Sequence, residues 1–169
     1  LAADNSTLSV RDAFRGGMAR LAGGICLITA KAADGGSVGL TVTSATSLSA
    51  DPPSMICCIN KTSRSHDTIL QSGAFAANVI AAQDKDLAAA FATDKTMDEK
   101  FAGGQWLSRK TGSPVLTTAA VTFDCRIREI VQATTHSILI GDVVDVYLPD
   151  VSPDGMVYWE RQFISLNRQ

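Results

Sequence analysis

Hydrophobic residues along the chain fall mostly in short runs with alternating character, each broken by Gly, Pro, Asn or Asp. Such alternation predicts strands. It places them at residues 25–31, 38–43, 54–60 and 75–80. Two long antiparallel strands follow at 121–131 and 137–147, and a last hairpin at 156–159 and 163–166. Residues 44–49 continue the 38–43 strand in extended form. Asp51-Pro52-Pro53 stops that run, since prolines cannot donate to a ladder. Ala33-Asp34-Gly35-Gly36 reads as a hairpin turn. Helical spacing is confined to 9–21, 65–71, the Ala-rich 85–92 and a short 96–101. In the first of these Ser9 and Asp12 resemble a capping box, and Phe14, Met18 and Leu21 share a face. Gly73 ends the second. Residues 103–111 read as loop, and Gly16-Gly17 and Gly23-Gly24 as helix-end and loop glycines. Many closely spaced strands with a few short peripheral helices predict a mostly β fold, a closed or split β-barrel. One domain spans residues 1–169, with 1–8 a flexible tail.

Composition narrows the class. At 169 residues, 46% hydrophobic and 19% charged, the chain can bury a globular core. A net charge of −2 argues against nucleic acid as a partner. No apolar run approaches membrane-span length, and the N-terminus lacks a signal pattern, so a cytoplasmic protein with no membrane partner is expected. The start at Leu1 points to an incomplete or trimmed end. Cys26, Cys57, Cys58 and Cys125 show no metal-ligand spacing and read as buried, reduced thiols. No metal site is expected.

The densest chemistry lies in residues 39–66, GLTVTSATSLSADPPSMICCINKTSRSH. Thr41, Thr43, Ser44, Thr46, Ser47 and Ser49 crowd a β-prone run. These hydroxyls need water, backbone or a polar ligand. Composition alone leaves a solvated edge strand and a ligand-binding strand evenly matched. The loop Asn60-Lys61-Thr62-Ser63-Arg64-Ser65 adds cations and hydroxyls before a helix start, a combination that suits phosphate. Neither G-x-G-x-x-G nor G-x-x-x-x-G-K-[ST] occurs in a suitable context, so no Rossmann or P-loop site is expected.

These residues resemble the flavin reductase-like family, the reductase components of two-component flavin monooxygenases. The family segment G-x-T-x-[TS]-S-x-x-S-x-S-x-x-P-P is matched by Gly39, Thr41, Thr43, Ser44, Ser47, Ser49, Pro52 and Pro53, and its Asn-basic-x-Ser loop by Asn60, Lys61 and Ser63. Phe75-Ala76-Ala77-Asn78-Val79 is similar to its F-x-V-N-V strand. Lys100-Phe101 with Gly104 and Trp106 is similar to its K-F-x-G-x-x-W turn. Residues 135–143, THSILIGDV, are similar to a further strand, with Thr135 where Asp is common.

The resemblance implies a split-barrel, FMN-binding, Greek-key-type fold and a homodimer. It implies an NAD(P)H:flavin oxidoreductase that reduces FMN or FAD with NADH or NADPH and supplies a partner monooxygenase. Backbone groups of Thr41, Val42 and Thr43 would meet the flavin ring, and Ser44 and Ser47 the ribityl chain or phosphate. Asn60, Lys61, Ser63 and Ser65 would hold phosphate, with Arg64 a weaker candidate. Ser49, Ile59 and Phe101 complete the flavin set. Phe101 and Trp106 could cover an adenine or anchor their loop. His136, Tyr158 and Arg161 would face the nicotinamide, although Phe163 stands where the family often has a second Tyr. His66 reads equally as a helix cap, a surface residue or a phosphate contact. The alternative is a flavin-binding barrel without turnover, for storage or sensing.

Overall fold

A computed structural model describes residues 8–167. In chain order the elements are α1 (Val10–Met18), β1 (Gly23–Gly24), β2 (Cys26–Lys31), β3 (Ser37–Val42), β4 (Ala45–Ala50) and β5 (Pro53–Asn60). There follow α2 (His66–Ser72), β6 (Ala74–Val79), a 3-10 turn (Ala82–Asp84), α3 (Lys85–Phe91) and α4 (Met97–Ala102). The rest is β7 (Trp106–Ser108), β8 (Pro114–Leu116), β9 (Val121–Gln132), β10 (His136–Tyr147), β11 (Gly155–Trp159) and β12 (Gln162–Leu166). The expected tail at 1–8 lies almost entirely outside the described residues.

The fold is mostly β, as the alternation predicts. A seven-stranded antiparallel sheet runs in the order β3-β2-β6-β9-β10-β5-β4. Its two edges, β3 and β4, are consecutive in the chain and joined only by Thr43 and Ser44. The expected continuous extension from 38 to 49 is therefore broken: the chain steps from one edge of the sheet to the other. So short a link forces the sheet to curl until its edges meet at that end. Ser44 completes the junction, its carbonyl accepting from Cys58 N at 3.3 Å and its Oγ donating to Cys58 O at 2.9 Å. No ladder joins β3 to β4 among the described residues, so the barrel is not closed.

Two further corrections concern small elements. Gly23-Gly24 is not loop but a strand that pairs with β11, Gly23 opposite Tyr158 and Gly24 opposite Val157. Residues 103–111 are not all loop, because β7 pairs with β8. Short segments of this kind carry too little periodicity to be read locally; their partners lie far away in sequence.

Core packs on both faces of the sheet, and successive side chains of β2 separate the two sides. Ile28 points inside the curl with Cys57, Ile59, Phe75 and Leu139. Leu27 points outward to a second cluster with Ile80, Phe91, Leu116 and Met156. That outer cluster seats α3 and the β11–β12 hairpin on the sheet, beside the C-terminal end of β3.

Candidate functional site

The loop after β5 is built from its own polar side chains. Asn60 Oδ1 accepts from Thr62 N and Thr62 Oγ1, both at 3.0 Å, and Ser63 N donates to Asn60 O at 3.0 Å. Ser65 is buried, and its Oγ donates to Gly39 O at 2.9 Å, pinning the loop to β3. A cleft of about 300 Å³ opens between this loop and the α3–α4 segment, with Thr41, Ser63, Arg64, Ser65 and Lys100 among its walls.

Lys100 is the telling residue. Only 6% of it is exposed. Its ammonium meets a single acceptor, Phe91 O, at 3.5 Å, the limit of a hydrogen bond. Burial holds its pKa below the ordinary lysine value, and the nearby Arg64 charge adds to the effect against an opposing Asp94. A capping box starts α4 and fixes the helix that carries it: Glu99 N donates to Thr96 Oγ1 at 3.3 Å, and Thr96 N to Glu99 Oε2 at 2.8 Å. Arg64 reaches Asp94 across the mouth at 3.1 Å. A buried, under-coordinated cation among hydroxyls suits a phosphate. Sequence reasoning quoted Lys100 in the K-F pair but assigned it no role. A lone lysine on a short helix reads as solvent-facing, and only the fold turns it inward.

Thr41 also borders a second cleft, of about 380 Å³, lined by Thr43, Tyr158, Arg161 and Phe163. Thr41 Oγ1 donates to Ala88 O at 2.7 Å, which ties β3 to α3. Val42 points into the core. Thr43, Tyr158 and Arg161 in turn border a third cleft of about 650 Å³ beneath α1. The three hollows follow one another along the end of β3. Gly23 permits this approach: a Cβ there would lie 3.1 Å from Thr43 Cβ. Tyr158 packs edge-on against Phe163, ring centroids 5.4 Å apart.

Other sequence candidates stand apart from these clefts. Ser47 and Ser49 lie along a separate apolar groove with Met55, Phe123 and Val143. Ser49 Oγ donates to Asp51 O at 3.1 Å within the β4–β5 turn, which contains a cis Asp51-Pro52 bond. Ile59 is fully buried. Lys61 turns toward the β9–β10 connection, donating to Ala133 O at 2.6 Å. Phe101 packs on Phe91 and Trp106, at 5.1 and 4.8 Å between centroids, so this pair anchors its own segment. His136 pairs in register with Asn60, and its Nδ1 lies 2.8 Å from Thr135 Oγ1. It sits at the same end of the sheet but borders none of the three clefts.

His66 is neither exposed nor among the residues lining the Lys100 cleft. Its Nδ1 lies 2.6 Å from Asp67 Oδ1 and its Nε2 2.9 Å from the buried Ser137 Oγ, so it ties α2 to β10. Three of the four cysteines are buried as expected, while Cys58 is half-buried. Cys26, Cys57 and Cys125 are buried, and burial pushes the Cys26 and Cys125 thiols up to about 12. Among the described residues no cluster of His, Cys, Asp or Glu could hold a metal, and no helix is long and apolar enough to cross a membrane.

Comparison with known proteins bears on this arrangement. The family profile described as a flavin reductase like domain matches residues 18–167. The FMN reductase (NADH) RutF of Stutzerimonas stutzeri (strain A1501) is 36% identical over 158 residues, covering 94% of this chain and 90% of that protein. Among solved structures, the styrene monooxygenase flavin reductase of Pseudomonas putida S12 superposes with a TM-score of 0.82 at 26% identity, over 92% of this chain and 98% of that one. The flavin reductase component of a bacterial two-component tryptophan halogenase gives a TM-score of 0.85 at 27% identity, over 94% and 99%.

Proposed function

This chain belongs to the flavin reductase-like domain family, and from that premise we infer that it is an NADH-dependent flavin reductase. It takes a hydride from NADH, places it on FMN, and releases reduced flavin to a partner flavin-dependent monooxygenase. FMN and NADH are preferred over FAD and NADPH because curated relatives at 31–36% identity act as FMN reductases with NADH.

The observation that carries the reading is the cleft with buried Lys100, which shares Thr41 as a wall with the hollow at Thr43 and Tyr158. Lys100, Ser63 and Ser65 would hold the phosphate, with Arg64 at the mouth. Thr41, Val42 and Thr43 would present backbone groups to the ring. Tyr158 and Arg161 would border the nicotinamide side. His136, at the same sheet end, would steady the nicotinamide from beyond Asn60. The flavin supplies the hydride-accepting ring, and the protein holds two rings in register while excluding water. No side chain need carry a proton in that step.

The curled sheet with edges joined by Thr43-Ser44 supports a split barrel of the FMN-binding type. A homodimer is the assembly expected of this family, and large hydrophobic side chains left exposed, among them Leu48, Ile130, Val131, Val146 and Leu148, accord with it; light scattering after size exclusion would test it. Reduced thiols accord with a cytoplasmic setting.

Anaerobic mixing of the protein and FMN with NADH should bleach the visible flavin band far faster than NADH and FMN alone. Flavin binding without accelerated bleaching would leave a storage or sensor protein instead.

A further inference from the structure

The turn that joins β9 to β10, residues 133–135, is held by the loop after β5 at both its tip and its base. At the tip, Lys61 N donates to Thr135 O at 3.0 Å and Lys61 Nζ to Ala133 O at 2.6 Å. At the base, His66 closes the same loop and opens α2, and its Nε2 lies 2.9 Å from Ser137 Oγ. Ser137 Oγ in turn donates to Gln132 Oε1 at 3.2 Å, across the first ladder pair of the hairpin. A chain of side chains thus runs from α2 through β10 to β9, directly beside His136.

The link is polar where the packing calls for apolar side chains. Ile69 of α2 belongs to the cluster inside the curl, and His66, three residues earlier, lies on the same helix face. Ser137 is fully buried, as is Leu139, two residues on along the same strand face. An apolar pair here would pack without the desolvation that a buried imidazole and hydroxyl must offset. Asp67, its Oδ1 2.6 Å from Nδ1, orients the ring. A carboxylate only accepts, so the proton stays on Nδ1 and Nε2 is presented to Ser137. Buried hydrogen-bonded chains of this kind fix one arrangement where apolar contacts tolerate several.

We propose that His66 is a positioning residue for hydride transfer, acting through Ser137 to fix the strand start from which His136 projects. The proposal rests on the reductase reading and on the place given there to His136. Neighbouring residues of a strand point to opposite faces, so a bond that anchors Ser137 inside the curl sets the backbone that carries His136 on the other side. His66 touches no reacting group. It makes the loop beside the Lys100 cleft and the hairpin bearing His136 one rigid unit, which holds the two ends of the site in register. Small misplacements of a positioning group are costly, up to about a hundredfold in rate.

The test is a double-mutant cycle on the limiting rate of flavin bleaching, read anaerobically with saturating FMN and NADH. His66→Ala and Ser137→Ala should each lower that rate by about tenfold. Ser137→Ala removes a single oxygen and keeps the test open if His66→Ala fails to fold. His66→Gln, whose amide still reaches Ser137, should stay within about threefold of wild type. In a His136→Ala background, Ser137→Ala should change the rate by less than about twofold, because nothing is left to position. Equal losses in both backgrounds overturn the proposal. Wild-type limiting rates in the single variants, whatever their Tm, return His66 to a purely structural role and overturn it too. A wild-type protein that bleaches FMN no faster than NADH alone overturns the reductase reading instead.

Discussion

At the residue scale, the buried charge of Lys100 opposes stability. Its folded-state pKa is depressed, mainly by burial. The unfolded chain therefore keeps the proton to higher pH. The cost to folding is fully present below the lowered pKa and fades as pH rises from there to the ordinary lysine value. Lys100→Met removes that cost while keeping the aliphatic stem. The flavin-free variant should melt no lower than wild type near neutral pH. Its FMN affinity should fall by about 1.5–3 kcal/mol, roughly tenfold to a hundredfold, for loss of a charge-assisted bond. Thermal melts and fluorescence titration check the two halves separately. Lys61→Ala should behave differently. Its ammonium serves the β9–β10 connection, so FMN affinity should change by less than about threefold in the same titration.

At the element scale, two glycines of the family-like motifs are explained by close approach rather than by unusual dihedrals. A Cβ on Gly39 would lie 2.8 Å from the Phe91 ring and 3.0 Å from Ile28 O. A Cβ on Gly141 would lie 2.7 Å from the Phe75 ring. Strand β3 runs flush against α3's Phe91, and Gly39 O also receives the Ser65 hydroxyl that seats the loop after β5. Gly39→Ala should cost about 1–3 kcal/mol by overpacking and also loosen that loop. Urea denaturation would show the lowered midpoint, and FMN titration the weaker binding. The motif read as a string of hydroxyls for a ligand is thus divided in use. Thr41 and Ser44 bond to backbone across elements, and Ser49 to its own turn.

At the scale of the whole molecule, Asn78 joins strands that sequence separates. It is fully buried in β6. Its Nδ2 donates to Leu27 O at 3.1 Å and Thr29 Oγ1 at 3.0 Å. Its Oδ1 accepts from Leu116 N at 2.7 Å and Thr122 Oγ1 at 2.9 Å. One amide therefore fastens β8 and the start of β9 to the middle of the main sheet. Asn78→Ala strands several buried partners at once and should cost about 3 kcal/mol or more. Chemical denaturation followed by both fluorescence and circular dichroism would show one cooperative transition at lower urea. Loss of only the β7–β8 segment, seen as a separate early fluorescence phase, would count against that role.

Alternating polarity and turn residues determined the strands of this protein, because period-two patterning and Gly or Pro punctuation act locally. The hydroxyl-rich segment with its Asn-Lys-Thr-Ser-Arg-Ser loop marked the site region for the same reason: the loop folds on its own side chains. Tertiary structure alone decided which of those residues face a common space. Lys61 and Lys100 are both single lysines beside polar residues. One is turned to a distant carbonyl and the other inward, because the curl of the sheet carries α4 over the end of β3. The two-residue step at Thr43-Ser44, the pairing of Gly23-Gly24 with β11 and the approach of Arg161 to α1 all join positions far apart in sequence. Contacts of that kind leave no periodicity to read; they exist only once the sheet has curled and its outer cluster has packed.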